Sequence, residues 1–101
     1  MKRVYICSPL RGDIQSNIKR ACSYCMEAAK VGCIPIAPHV YLTQFLDDTI
    51  PAERDIGLKM GLELLGLCDE VWVYGEPSEG MRSEIQAAWL ENIPVVRKGN
   101  A

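Results

Sequence analysis

The sequence lacks an excess of positive charge, and it lacks a long apolar run. Its formal net charge is −2 and its pI is about 5.3, whereas proteins that bind nucleic acid polymers carry a basic stripe or have a high pI. A membrane-spanning helix needs ~20 largely apolar residues in a row, and no segment approaches that length. We therefore expect neither a nucleic acid polymer nor a membrane among its partners. A small anionic ligand stays compatible with this composition, because one arginine and a helix N-terminus can hold a phosphate.

The sequence is also poor in patterns that bind metal. It has one histidine, His39, and its five cysteines include a single CxxC pair, Cys22 and Cys25, without the second pair of a zinc site. We expect no metal site. The odd number of cysteines, most of them inside apolar segments, indicates reduced thiols. Because only a few apolar residues separate the basic start of the chain from Pro9, no signal peptide is expected, and the predicted location is the cytoplasm.

Repeats, linkers and low-complexity segments are absent as well. The chain has 101 residues, of which 49% are hydrophobic, and a chain of this length can bury one core but not two. The sequence therefore predicts a single domain over residues 1–101.

Strand-like and helix-like segments alternate along the chain. Short β-branched and aromatic runs predict strands. Apolar residues at helical spacing predict helices; Asp13 and Ser78 are expected to cap two of them, and glycine or asparagine residues to end them. The predicted strands cover 4–7, 33–37, 69–75 and 95–96, the helices cover 14–31, 51–67 and 78–91, and one or two helical turns fall in 40–46. Such alternation predicts a three-layer α/β domain with a parallel sheet of about four to five strands.

Details of this pattern give three further expectations. Pro35 indicates that the second strand lies at an edge of the sheet. Residues 51–67 carry apolar side chains on two sides, so we expect one side to cover the sheet and the other to meet a second subunit. Trp72 and Trp89 are expected in the core.

The unusual polar residues cluster after the predicted strands. In a parallel α/β sheet, ligands bind beyond the carboxyl ends of the strands, which here are the loops 8–13, 37–40 and 75–80. These loops and the helix after the last one supply the candidate site residues Ser8, Arg11, Gly12, His39, Ser78, Gly80 and Glu84.

Glu84 is the candidate catalytic carboxylate. It lies early in a helix whose N-terminus faces the expected cleft, where the helix dipole favours its ionised form and burial raises its pKa. A carboxylate in this position could attack an anomeric carbon and form a glycosyl intermediate. The alternative is a solvated glutamate on the outer side of an amphipathic helix.

The other candidates have structural alternatives too. Arg11, with Gly12 permitting close backbone approach, suits a phosphate, but it could instead pair with Asp13. His39 could act as a general acid or base or contact a nucleobase, or it could be structural. Ser78 could bind a ligand or serve only as a helix cap.

Five segments of the sequence resemble one enzyme family. They are Tyr5-Ile6-Cys7-Ser8-Pro9-Leu10-Arg11-Gly12, Ala37-Pro38-His39, Cys68-Asp69-Glu70-Val71-Trp72-Val73-Tyr74, Pro77-Ser78-Glu79-Gly80 and Ser83-Glu84-Ile85-Gln86-Ala87-Ala88. Together they resemble the nucleoside 2-deoxyribosyltransferase family, including the 2′-deoxynucleoside 5′-phosphate N-hydrolases and small uncharacterised bacterial and phage members. The spacing of Ser78, Gly80 and Glu84 is the most specific part of the resemblance.

The resemblance implies a flavodoxin/Rossmann-like domain that cleaves or transfers the N-glycosidic bond of a (deoxy)nucleoside or nucleoside 5′-monophosphate. Glu84 would attack C1′, and Tyr5 would orient its carboxylate. Arg11, Ser8 and Ser78 would hold the 5′ end of the sugar or its phosphate. The resemblance also implies a homodimer or larger homo-oligomer, and neither a metal nor an organic cofactor.

Three features depart from the family pattern. Gly61 stands where the family has an aspartate that contacts the substrate, and Pro9 stands where the hydrolase branch has a phosphate-binding serine. The chain also ends soon after the last strand, where the family has a segment that reaches a neighbouring subunit. These departures keep open an alternative, a non-catalytic nucleotide-binding or sensing module on the same fold.

Overall fold

The computed structural model describes residues 1–99, in which four strands alternate with helices. The strands are β1 (Arg3–Cys7), β2 (Ile34–Ile36), β3 (Glu70–Tyr74) and β4 (Val95–Gly99). The helices are α1 (Ile14–Lys30), α2 (Pro38–Tyr41), α3 (Pro51–Leu65) and α4 (Glu79–Leu90), and a 3-10 turn covers Leu42–Gln44. The alternation predicted from the sequence is confirmed.

The four strands form one parallel sheet in the order β2-β1-β3-β4. This is the flavodoxin-like order, in which a crevice opens between β1 and β3 because the connections that follow these two strands run to opposite faces of the sheet. The edge position of β2, predicted from Pro35, is confirmed. Strand β4 extends beyond the predicted 95–96, because its pairing with β3 continues through the exposed Arg97.

Both faces of the sheet are covered, because successive side chains of a strand point to opposite faces. On β1, Val4 and Ile6 pack with α1 residues on one face, whereas Tyr5 and Cys7 pack with residues of α3 and α4 on the other. All four side chains are at most 1% exposed. The result is the three-layer domain that the sequence predicts.

The two tryptophans differ in environment. Trp72, on β3, is buried as expected, but Trp89 is 67% exposed, so its predicted core position is wrong. Helix α4 buries Met81, Ile85 and Ala88, and the residue after Ala88 is turned away from this face by about 100°. Helical phase, not apolarity, decides which side chain enters the core.

Helix α3 buries only part of its apolar surface within the chain. Gly61 and Leu65 are its buried residues, and the side chains of Ile56, Leu58, Met60 and Leu62 are between 42% and 51% exposed. Within residues 1–99, no helix combines the length and the apolar character that crossing a membrane requires.

Candidate functional site

A cavity of ≈ 540 Å³ opens where the chain leaves β1, β2 and β3. This is the edge of the sheet at which a parallel α/β fold binds ligands. Of the residues singled out in the sequence, those that line it are Tyr5, Ser8, Arg11, His39, Ser78, Gly80 and Glu84. Gly12 does not line it. The loop that carries Arg11 and the helix that carries Glu84 therefore border the same cavity, although the roles assigned to these residues stay predictions.

Glu84 projects from the inner face of α4. It follows the buried Met81 by three residues and precedes the buried Ala88 by four, so helical geometry places it on the stripe that faces the sheet. The hydroxyl of Tyr5 donates a hydrogen bond to Glu84 Oε2. The thiol of Cys7 donates to Glu84 Oε1 over 3.3 Å. A solvated glutamate, the alternative raised from the sequence, does not fit this environment.

The two donors keep their protons because of where they lie. Burial and the adjacent Glu84 carboxylate raise the pKa of the Tyr5 hydroxyl well above its usual value and also raise the pKa of the Cys7 thiol. Burial raises the pKa of Glu84, whereas the hydrogen bonds from Tyr5 and Cys7 act in the opposite direction by stabilising its ionised form. Burial is the larger of the two effects, so the pKa of Glu84 is raised overall, and the two hydrogen bonds hold both oxygens of its carboxyl group in place.

Ser8 and His39 form a polar pair on the wall of the cavity. Ser8 Oγ and His39 Nε2 are 3.0 Å apart, and Thr43 Oγ1 donates to the backbone oxygen of His39 over 2.9 Å. Burial lowers the pKa of His39 to about 4. The imidazole is therefore neutral near pH 7. A neutral imidazole has one nitrogen that donates a hydrogen bond and one that accepts, so it can bind a ligand without carrying charge.

Arg11 pairs with an acid that sequence reasoning did not identify. Its Nε lies 3.2 Å from Asp48 Oδ2, so the expected alternative, pairing with Asp13, is wrong. Asp13 instead caps α1 by accepting hydrogen bonds from the backbone nitrogen of Ser16 at 3.2 Å and its hydroxyl at 2.9 Å. No local sequence signal could have indicated Asp48, which reaches the site from the segment before α3.

The loop that carries Arg11 is held from below by Asn17. This buried side chain donates to the backbone oxygens of Leu10 at 3.0 Å and Arg11 at 2.9 Å. Gly12 has a φ of +95°, a left-handed conformation that glycine adopts without strain. Gly12 therefore serves the turn into α1.

Ser78 and Gly80 bring the start of α4 to the cavity. Ser78 Oγ accepts a hydrogen bond from the backbone nitrogen of Met81 over 3.3 Å, which confirms the predicted helix cap. Free backbone N–H groups at such a helix start attract anions or ligand oxygens. The capping role and the predicted ligand-binding role of Ser78 are compatible, because both Ser78 and Gly80 are exposed toward the cavity.

Gly61 lies on the opposite wall, beside Tyr5. A Cβ atom built on Gly61 would be 3.5 Å from the Tyr5 hydroxyl, so the position at which the resembled family has an aspartate faces the site. Here that position supplies no carboxylate. Three other acids besides Glu84 line the cavity: Asp48 in the segment before α3, Glu53 in the first turn of α3 and Glu79 at the start of α4.

Potential metal ligands and thiols are dispersed over the described part of the chain. Among residues 1–99, no group of three or more His, Cys, Asp or Glu side chains is arranged to hold a metal ion. All five cysteines are free thiols; Cys7 and Cys68 are buried, Cys25 and Cys33 are partly exposed, and Cys22 is exposed.

Comparison with protein families identifies the chain. A family model described as a domain of unknown function, DUF7768, matches residues 2–98. The chain belongs to the DUF7768 family. No curated protein matches the sequence.

Solved structures share the fold of this DUF7768 domain. A 2-deoxyribosyltransferase from Bacillus psychrosaccharolyticus superposes with a TM-score of 0.76 at 17% identity, over 96% of this chain and 72% of that chain. A conserved protein from Enterococcus faecalis V583 superposes with a TM-score of 0.64 at 19% identity, over 96% of this chain and 62% of that chain. The domain therefore has the fold of the 2-deoxyribosyltransferases, as the resemblance in the sequence implies.

Proposed function

We propose that this DUF7768 domain cleaves or transfers the N-glycosidic bond of a (deoxy)nucleoside or nucleoside 5′-monophosphate. The observation that carries the proposal is the Glu84 carboxylate, which lines a nucleoside-sized cavity and accepts hydrogen bonds from Tyr5 and Cys7. The fold shared with a 2-deoxyribosyltransferase supports the same chemistry.

The proposed reaction has two displacements. A Glu84 oxygen forms a bond to C1′ of the sugar as the bond from C1′ to the base nitrogen breaks, and the base leaves with the bonding electron pair and takes up a proton. Water or a second base then attacks C1′ and releases the Glu84 carboxylate. Tyr5 would hold the carboxylate in line with C1′, and a fixed nucleophile is what makes such displacements fast.

The substrate contacts would come from the remaining walls. Arg11, Ser8 and Ser78 would hold the 5′ side of the sugar, and the neutral His39 would contact the sugar or base. Gly12 would keep the loop of Arg11 close to the ligand without touching it. No metal or organic cofactor takes part in this proposal.

The decisive experiment is base release from a panel of nucleosides and nucleoside 5′-monophosphates. Free base is measured by chromatography, with and without a second base as acceptor. Glu84→Gln should lower the rate on the order of 10³-fold or more, because an amide cannot act as the nucleophile. Glu91→Gln, which removes a carboxylate from the far end of the same helix, should leave the rate unchanged. Absence of base release from every compound would refute the enzyme proposal.

A second candidate is a non-catalytic nucleotide-binding or sensing module. Gly61 favours it, because the wall beside Tyr5 lacks the aspartate of the resembled family. This candidate predicts thermal stabilisation by a ligand that Arg11→Ala abolishes and Glu84→Ala retains, without any product. Product formation that depends on Glu84 would decide for the enzyme.

We propose further that the domain forms a homodimer or a larger homo-oligomer in the cytoplasm. The exposed apolar side chains of α3, among them Leu58 and Leu62, support assembly, because an apolar surface of this kind is stabilised by contact with a second subunit. Free cysteines support a reducing compartment. Light scattering coupled to gel filtration tests the assembly, and Met60→Glu should shift it toward monomer if α3 is the interface.

A further inference from the structure

The ion pair between Arg11 and Asp48 stands on the cavity wall where the 5′ side of a sugar would lie. Both residues line the main cavity, and both also line a shallower hollow of ≈ 420 Å³ beside it. The Asp48 side chain is 22% exposed, whereas that of Arg11 is 61% exposed. Because it is more exposed, the Arg11 guanidinium can turn toward a ligand, whereas the Asp48 carboxylate remains at the cavity wall.

The backbone around Asp48 explains why this carboxylate stays. Asp47 Oδ1 accepts hydrogen bonds from the Thr49 backbone nitrogen at 2.9 Å and the Thr49 hydroxyl at 2.6 Å. The Asp47 backbone nitrogen donates to Glu53 Oε1 over 2.9 Å, and the Asp47 carbonyl accepts from Ile50 over 3.1 Å. A turn tied at four points keeps Asp48 at the cavity even when Arg11 turns toward a ligand.

The charged side chains around the cavity are negative on balance and oppose the attraction that the N–H groups at the start of α4 exert on an anion. Among the described residues that line it, two guanidinium groups, Arg11 and Arg54, face four carboxylates, Asp48, Glu53, Glu79 and Glu84. His39 adds no positive charge near pH 7, because burial lowers its pKa to about 4. A 5′-phosphate would bring about two more negative charges, and its contact with Arg11 would put it beside Asp48.

An uncharged nucleoside meets no such repulsion. Its 5′-hydroxyl has a proton to donate, and an ionised carboxylate only accepts, so Asp48 can bind the hydroxyl while it remains paired with Arg11. A phosphate dianion has no proton to offer at this position. Hydrogen bonding and electrostatics thus point to the same ligand.

We propose, on the basis of the function proposed above, that the Asp48–Arg11 pair makes this site select an uncharged (deoxy)nucleoside over its 5′-monophosphate. Asp48, kept at the cavity by the turn that Asp47 forms with Thr49 and Ile50, is the specificity-determining residue, and Arg11 is its ion-pair partner. The selection concerns the charge at the 5′ position and is independent of which base the substrate carries.

The test compares kcat/KM for a deoxynucleoside and its 5′-monophosphate in wild type, Asp48→Asn and Asp48→Ser. Wild type should prefer the nucleoside, and both variants should lower that preference about tenfold or more, chiefly through a lower KM for the monophosphate. Glu63→Gln removes the same charge from an exposed position on α3 outside the cavity and should leave the preference unchanged. Added salt should weaken the wild-type preference, because it screens the repulsion.

Wild type that favours the monophosphate, or a preference that both Asp48 variants leave intact, would overturn the inference. Calorimetric titration of the same two compounds separates it from the proposed reaction. Tighter binding of the nucleoside without any base release refutes the reaction and retains the selectivity. Absence of both binding and release overturns both.

Discussion

Tyr5 and Glu84 lie 79 residues apart in the sequence, and the Tyr5 hydroxyl donates a hydrogen bond to the Glu84 carboxylate. Strand β1 carries one partner and helix α4 the other, so the contact exists only when α4 packs on the sheet. Tyr5 is 1% exposed, which fixes the hydroxyl against rotation into solvent. The carboxylate consequently points into the cavity from a rigid support, as a nucleophile requires.

Replacing Tyr5 with phenylalanine should impair the proposed reaction without leaving a cavity in the core, because the aromatic ring is retained. A hydrogen bond to a charged group is worth enough that its loss should lower kcat/KM roughly 10- to 100-fold. Because the Tyr5 hydrogen bond lowers the pKa of Glu84, its removal should also move the acidic limb of the pH profile to higher pH.

The matched control is Tyr24→Phe. The buried Tyr24 hydroxyl has no hydrogen-bond partner within residues 1–99, so its removal should leave both the rate and the pH profile as they are. An acidic limb that does not move in Tyr5→Phe would show that Tyr5 does not act on Glu84.

Cys7 should affect the same limb of the pH profile. Its thiol donates to the other oxygen of Glu84, and a thiol is a weak donor, so Cys7→Ala should shift the acidic limb upward by less than Tyr5→Phe does. Cys7→Ser retains a hydrogen-bond donor, so its acidic limb should lie at the same pH as that of wild type. Cys68→Ala provides the control, since this buried thiol contacts the Leu64 backbone oxygen instead. If Cys7→Ser behaves like Cys7→Ala, the thiol only fills space.

The fold could be predicted from the sequence because its signals are local. Alternating apolar runs and helical stripes are enough to predict the element order, and Pro35 indicates the edge strand. Apolarity considered without helical phase places Trp89 in the core, whereas it is exposed. The polar end of β4 cannot be predicted from the local sequence. Arg97 belongs to the strand because it pairs with β3, and that pairing leaves no signal in the residues around Arg97.

The site could be predicted only in part, for the same reason. Residues next to strand ends, such as Ser8 and Ser78, were found from their position in the chain. Cys7 could also have been predicted, because it lies two residues after Tyr5 on β1 and therefore faces the same side of the sheet. Asp48 could not be predicted, because its pairing with Arg11 depends on how the segment before α3 folds over the cavity.

His39 should make the folded state sensitive to mild acid. Its pKa is about 4 in the folded protein and 6.5 as a free side chain, so the unfolded chain takes up the proton first as the pH falls. Its contribution to stability is complete above about pH 6.5 and is lost as the pH falls below about 4, amounting to roughly 3 kcal/mol at full extent.

Urea unfolding at neutral pH and near pH 4.5 measures this contribution. His39→Gln cannot take up the proton, so its free energy of unfolding should fall by less than that of wild type, by on the order of 2 kcal/mol. Carboxylates that titrate in the same range are common to both proteins and cancel in the comparison. Equal losses in the two proteins would contradict a buried, neutral His39.

Asn17 should link the stability of the Arg11 loop to ligand binding. Its side chain is 8% exposed and is a donor to two backbone oxygens of that loop. Asn17→Ala would leave both oxygens without this donor, so the free energy of unfolding should fall by about 1–3 kcal/mol. Arg11 would also lose its fixed position, and binding of a nucleoside, measured by calorimetry, should weaken by roughly tenfold. Gln15→Ala, at an exposed position of the same helix, controls for helix propensity and should change neither quantity. A destabilised Asn17→Ala protein that binds the nucleoside as tightly as wild type would show that the loop shape held by Asn17 has no part in the site.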